Sequence, residues 1–235
     1  MYTPDDLVPA LTAFVDDQLW TARAPLRFYG VPMGCRMTVC RLADGRLLVH
    51  SPIKLDAIKP QLDALGEIAF AVAPNFIHHL YMGPFLEAYP NARLFVSPKL
   101  VAKRPDLRAE GVLGDAPPPG TWGETLDQAI VRSGTVMDEV VFLHRPSRTL
   151  ILCDLCECVH ADAPLGWRIM GRLAGIYEHY GPPLDMRLSF RDRAALRQFV
   201  TRVLSWDFDR VVLSHGNLVH AAGKDIFRKA YAFCL

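Results

Sequence analysis

The sequence predicts an α/β fold in which two packed sheets carry helices on their outer faces. Three observations point there. Ile68 to Ala73 (IAFAVA) is an uninterrupted apolar run, the mark of a strand buried on both faces. Each half of the chain places hairpin signals ahead of helical periodicity, which is α/β grammar. Of the 235 residues, 51% are hydrophobic and 10% aromatic, enough to bury a sizeable core and to exclude disorder over most of the length. That length suits one large domain or two small ones, and the expectation is one spanning residues 1–235.

Leu26 to Gly30 and Arg36 to Leu42 are strand-like. Asp44-Gly45 between two apolar runs is a hairpin signal, because glycine accepts the positive φ of a type I′ turn; the returning strand is Leu47 to His50. Lys54 to Leu65 has apolar residues at 55, 58, 62 and 65, a helical spacing, with Pro60 demanding a kink or a later start. After the buried strand come a helix over 83–88, a short strand over 92–96 and a helix from Pro98 to Lys103. The stretch GVLGDAPPPGTWG, residues 111–123, excludes helix and central strand and reads as a long loop. A short strand over 128–131 leads to a second hairpin, Glu139 to His144 and Thr149 to Cys153, turning at Arg145-Pro146-Ser147-Arg148. Helices are expected over 165–179, 191–204 and 222–233, with a buried strand over 210–213.

Charge excludes some partners. Lys plus Arg is 26 and Asp plus Glu is 25, so a net +1 leaves no electrostatic footprint for duplex nucleic acid or an anionic membrane. No stretch offers the ~18 apolar residues of a membrane helix, and the N-terminal residues lack a basic leader with an apolar core. A cytoplasmic location is the expectation, in which six cysteines do not imply disulfides.

Three strands end in a metal-binding side chain. His78-His79 follows the strand at 68–73, Asp154 the strand at 149–153, and His215 the strand at 210–213. Sites in α/β sheets gather at the carboxyl ends of strands, and imidazole with carboxylate suits zinc, iron or manganese.

In order and spacing these features resemble the metallo-β-lactamase-like superfamily across nearly the whole chain. LLVHSP, APNFIHHLYMG, EVVFLHRPSRTLILCDL and VVLSHG stand where that family has its first strand end, its His-x-His-x-Asp-His signature, its middle hairpin and its last ligand strand. The wording VAPN…HH and RTLILCDL looks closest to an uncharacterised branch. The resemblance implies a four-layer αββα sandwich. It also implies a degenerate site. Placed on the signature, His79 takes the last His and His78 the Asp, while the two earlier His positions fall on Pro74 and Phe76 and the later one near Thr135. The first metal site is thus absent, and Pro74, Phe76 and Thr135 are expected to line a wall without metal. The second site keeps His79, Asp154 and His215.

Hairpin geometry adds another candidate. With the turn centred on Pro146-Ser147, facing residues have numbers summing to about 293, which sets Glu139 opposite Asp154, about 5 Å away on the same face. Two carboxylates so close repel unless a cation or proton lies between them, so Glu139 is a candidate replacement ligand. The alternative is that Glu139 pairs with an arginine such as Arg36, or that the turn register differs by one. His144, at the far end, reads as structural.

Other constellations carry less. CDLCECVH holds Cys153, Cys156, Cys158 and His160, but its remaining cysteine donors, Cys35 and Cys40, point to opposite strand faces. The arginines at 187, 191, 193, 197 and 202 read as a solvated helix face. Two functions therefore stand. One is a hydrolase-like enzyme with at most one divalent metal, ligands drawn from His78, His79, Glu139, Asp154 and His215, and Asp154 and His79 as the catalytic pair. The other is an inactive relative that binds a small molecule or partner. A small-molecule ligand and a homodimer are the partner expectations.

Overall fold

A computed structural model describes residues 9–132 and 137–235. Seven strands form the first sheet: β1 (Thr12–Val15), β2 (Leu19–Ala24), β5 (Cys35–Arg41), β6 (Leu47–His50), β7 (Ile68–Ala73), β8 (Arg93–Val96) and β9 (Gly111–Val112), in that order. Pairing is antiparallel from β1 to β6 and parallel from β6 to β9. The second sheet holds β10 (Leu126–Val131), β11 (Glu139–His144), β12 (Thr149–Ile151) and β13 (Arg210–Val212). A two-residue ribbon, β3 (Arg27–Phe28) with β4 (Val31–Pro32), stands apart from both.

Strand alternation sorts side chains into layers. Leu48, Phe70, Val72 and Phe95 of the first sheet meet Ile130, Val140, Phe142 and Ile151 of the second in a shared core, closed by Trp122 from the long loop. The opposite face of the first sheet, with Val49, Ala71 and Leu94, packs on Leu62 of α1 (Lys59–Leu65), Phe85 of α2 (Met82–Ala88) and Leu100 of α3 (Pro98–Lys103). The outer face of the second sheet, with Val141, Leu150 and Val211, packs on Phe199 of α6 (Arg193–Ser205) and Phe227 of α7 (Gly223–Ala230). Helix, sheet, sheet, helix is the expected four-layer order.

The structure refines several boundaries. Pro60 sits at the start of α1, which begins five residues later than the periodicity alone suggests. The helix expected over 165–179 stops as α4 (Leu165–Leu173), where Gly175 takes φ +71°; a separate α5 (Leu184–Ser189) follows Pro183. The segment from Leu26 supplies only the short ribbon. The β1–β2 hairpin was not anticipated; Asp17, at φ +56°, makes its turn without glycine. The arginines of the basic stretch serve structure: Arg197 Nε donates to the Cys234 carbonyl at 2.8 Å, and Arg187 lies 4.4 Å over the Phe233 ring.

Topology fixes where a site can form. β6 and β7 run parallel, so their carboxyl ends share an edge with the start of antiparallel β5; the ends of β12 and β13 share an edge with the start of β11. The two edges are joined by an isolated bridge between Asn75 and Glu139 and by Val140 N–H donating to the Pro74 carbonyl at 3.0 Å. Both sheets thus open on one rim.

Candidate metal centre

His78, Asp154 and His215 converge on that rim, each offering one ligand atom within 4.8 Å of the others. Asp154 Oδ1 lies 3.2 Å from His78 Nε2 and 3.3 Å from His215 Nε2. All three side chains are buried. No other group of three such donors occurs among the described residues.

The rest of the rim holds these side chains in place. His215 Nδ1 donates to the Gly34 carbonyl at 2.8 Å. His78 Nδ1 meets Ser51 Oγ at 2.7 Å, and Ser51 itself takes φ +53°, an uncommon left-handed backbone for serine. The loop carrying His215 turns at Gly216, φ +121°, where a Cβ would fall 2.4 Å from the Cys158 carbonyl oxygen. Arg36 reaches across from β5 to the carbonyls of Leu213 and Gly216, the latter at 2.9 Å.

Asn75 is the keystone. It is fully buried. Its Nδ2 donates to Glu139 Oε2 at 2.9 Å and to Asp154 Oδ2 at 2.8 Å, so one amide lies between the two carboxylates. Its Oδ1 accepts from the backbone N–H of Ile77 and of His78, both at 2.9 Å. That Asx turn aims His78 inward.

The other expected residues are placed differently. Glu139 does neighbour Asp154, and β11 pairs with β12 in the anticipated register, Phe142 with Ile151 and His144 with Thr149. But its carboxylate accepts from Cys153 N–H at 2.7 Å and Asp154 N–H at 2.9 Å, as well as from Asn75. It braces the Asp154 backbone and stands outside the converging trio. The carboxylate pair is separated by the Asn75 amide and not by Arg36. His79, expected at the centre, borders the pocket but stands outside the trio: Arg104 Nη1 donates to its Nδ1 at 3.0 Å. Phe76 packs against the core between the first sheet and its helices, with Lys103 Nζ 5.0 Å over its ring. Neither Phe76 nor Pro74 lines the pocket beside the trio. Thr135 lies outside the described residues. The cysteines form no cluster of three donors among the described residues, and all six are free and buried. His144 is structural, with Nδ1 2.7 Å from Ser147 Oγ.

Electrostatics follows from burial. Burial opposes ionisation of Asp154, but the His78 and His215 imidazoles outweigh it and hold the carboxyl far below its usual range. Burial likewise opposes charge on His78; Cys153 and Asp154 reverse the balance and the net direction is upward. Burial, then the Asp154 charge, pushes Glu139 up to about 7. Glu157, whose carboxyl faces the same pocket, is raised well above the usual carboxylate range by the same two causes.

The donor set fits a single divalent cation. A carbonyl can only accept, so His215 Nδ1 carries a proton, and in the neutral ring Nε2 presents a lone pair to a carboxylate oxygen 3.3 Å away. Two acceptors at that distance require a cation or a proton between them. Zinc bonds of ~2.0–2.1 Å imply a tetrahedral edge of ~3.4 Å, close to both observed separations. Outer hydrogen bonds on each Nδ1 are the orienting partners that metal-bound imidazoles use.

Comparison with known proteins bears on the fold. A metallo-β-lactamase from Pseudomonas aeruginosa, FIM-1 in a mono-zinc form, superposes with a TM-score of 0.65 at 12% identity, covering 98% of this chain and 96% of that one. One from Erythrobacter litoralis gives 0.66 at 11%, covering 99% of each, and one from Pontibacter korlensis 0.63 at 12%, covering 97% and 99%. At such identities the likeness establishes the fold. No functionally curated protein matches the sequence significantly. The family model described as a domain of unknown function, DUF4336, matches residues 16–170. With two thirds of its length matched, the chain belongs to the DUF4336 family, built on a metallo-β-lactamase-like fold.

Proposed function

We propose that the protein is a hydrolase-like enzyme working with one divalent ion, zinc, iron or manganese, held by His78, Asp154 and His215. The observation that carries this reading is geometric: three buried donors from three separate strand ends, His78, Asp154 and His215, bring their ligand atoms within 4.8 Å of one another. Such an ion supplies Lewis acidity toward an ester, amide or phosphoryl oxygen and lowers the pKa of water toward neutrality. Asp154 contributes the negative charge of the donor set. Asn75 and the Glu139 brace fix its carboxylate, and Ser51 fixes the His78 ring. His79 borders the same pocket. Burial and the nearby Lys103 and Arg104 keep its pKa low, and because Arg104 donates to Nδ1 its proton rests on Nε2. It is thereby a neutral hydrogen-bond donor for a developing negative charge.

A second reading, a catalytically inactive binding protein, is favoured by one observation. A proton on each Nε2 that faces Asp154 would satisfy the carboxylate without a metal, and for His78 that is the direction in which its titration is pushed. Metal analysis separates the two. Protein purified without chelator or added metal is expected to carry about one divalent ion per chain. Asp154→Ala is expected to lose it while keeping the circular dichroism of the parent. Equal metal in both proteins, or none in any preparation of the parent, overturns the metal reading and leaves the binding protein.

A further inference from the structure

The pocket that opens from the cluster encloses about 580 Å³, room for a drug-sized ligand. His78, Asp154, His215, Ser51 and Glu157 gather on its wall, and Asp185 and Ser189 of α5 add polar groups elsewhere on the lining. Most of the remaining wall is apolar, with Met33, Ile53, Trp167, Met170 and Ile176. The mouth is unusual. Leu80, Leu173, Leu184 and Leu188 line it while remaining 46–75% exposed, as do Phe28 and Ile77 at 44% and 38%. Solvent-exposed large apolar side chains gathered at one pocket mouth mark a ligand or partner site, whereas scattered ones do not.

The sequence builds this mouth deliberately. On α4, Leu173 stands exposed at the mouth while Trp167 and Met170 line the wall, and the exposed Leu165 and Ile169 continue the same apolar row beyond the pocket. Gly171 lets the helix approach Val159, since a Cβ there would fall 2.7 Å from that side chain. On α5, Leu184 and Leu188 repeat the pattern.

Charge then selects among apolar ligands. The described lining contains Asp154, Glu157 and Asp185 but neither lysine nor arginine. A phosphate or carboxylate entering would meet these carboxyl groups and find neither a lysine nor an arginine to pair with.

We propose that this pocket binds an uncharged, chain-like molecule, an acyl or aryl ester or amide, with its carbonyl at the cluster and its apolar tail between α4, α5 and the β3–β4 ribbon. This rests on the proposed function only in naming the cluster as the carbonyl's end. Occupancy of the pocket by the tail does not require a metal.

The test is therefore binding of a ligand that cannot be hydrolysed. 2-Pentanone, 2-heptanone, 2-nonanone and 2-undecanone are titrated by tryptophan fluorescence, the Trp167 component being isolated by comparison with W167F. Protein as purified and chelator-treated protein are both used. Affinity is expected to rise along the series, by up to about fourfold for each added methylene that is buried. Decanoate is expected to bind chelator-treated protein at least tenfold more weakly than 2-undecanone. Leu173→Asp and Leu188→Asp, at positions about three-quarters exposed and so tolerant of polar side chains, are expected to weaken 2-undecanone tenfold or more. A flat chain-length series, decanoate binding as tightly as the ketone, or unchanged affinity in both variants overturns the proposal. A steep series in protein without metal or esterase activity upholds it while the hydrolase reading fails. Hydrolysis of short esters with a flat series does the reverse.

Discussion

Replacing Asn75 should cost more than any other single polar change at the rim. Its side chain makes four hydrogen bonds of 2.8–2.9 Å with no solvent exposure. Hydrogen bonds to charged groups contribute roughly 1.5–3 kcal/mol each and neutral ones roughly 0.5–1.5, so four sum to about 4–9 kcal/mol before relaxation. Glu139 Oε2 keeps the Asp154 N–H, and water entering the vacated space can serve the others, which brings the expected loss for Asn75→Ala to about 3–4 kcal/mol. Asn75→Asp should be worse near pH 8, because a third carboxylate would face Glu139 and Asp154. The new acid's folded pKa would be raised by those neighbours, so its variant is relatively stabilised at low pH and loses that stability as pH rises through the folded value. Urea unfolding at about pH 5.5 and 8, read by fluorescence and circular dichroism together, measures both effects. A loss below about 1 kcal/mol for Asn75→Ala, or an Asn75→Asp penalty that does not grow with pH, would show that the amide does not separate the carboxylates.

Two further outcomes follow from the same frame. His50 is buried, its Nε2 has no hydrogen-bond partner among the described residues, and burial lowers its pKa to about 3. A depressed base stabilises above its unfolded pKa and loses that contribution as pH falls; near pH 5 the loss is about 2 kcal/mol. His50→Phe, which keeps a ring against Phe142, should flatten the acid limb of the stability–pH curve by that amount, and an acid limb parallel to the parent's would refute the assignment. Gly216→Ala should lower stability by about 2 kcal/mol or more, since its φ of +121° and the Cys158 carbonyl both exclude a Cβ. It should also loosen His215, visible as altered histidine resonances in NMR spectra; an unperturbed His215 signal would show that the Gly216 turn does not position the ring.

How far the site could be read from the chain differed residue by residue. The β11–β12 register was readable because a tight turn at Pro146-Ser147 leaves no slack, and counting from it sets Glu139 beside Asp154. What lies between those carboxylates was not readable: Asn75 is 64 and 79 residues away from them and arrives only when the two sheets meet. The choice between His78 and His79 could have been drawn from Asn75 itself. An Asn commonly accepts from the backbone two or three residues on, and that turn rotates His78 under the carboxylate. Family spacing alone pointed to His79, whose ring the structure gives to Arg104. The β1–β2 hairpin escaped notice because its turn, Asp16-Asp17, lacks glycine. The end of α4 was overrun because the apolar pattern continues past Gly175 into residues that build the pocket wall.

The histidine in the signature's Asp position has a consequence for charge. A donor set of two neutral imidazoles and one carboxylate leaves a divalent ion with a net +1, where a second carboxylate in place of His78 would leave none. A buried net charge is costly unless compensated nearby. This chain places two further acids within the same enclosure, Glu139 against the Asp154 backbone and Glu157 on the pocket wall. Both are pushed toward the neutral form by burial and by Asp154. A cation would favour their ionised forms, so the compensating charge can be recruited by the ion that needs it. Substituting His78 by an acid would therefore add a further carboxyl group to a rim that already holds Asp154, Glu139 and Glu157, whereas an imidazole adds none.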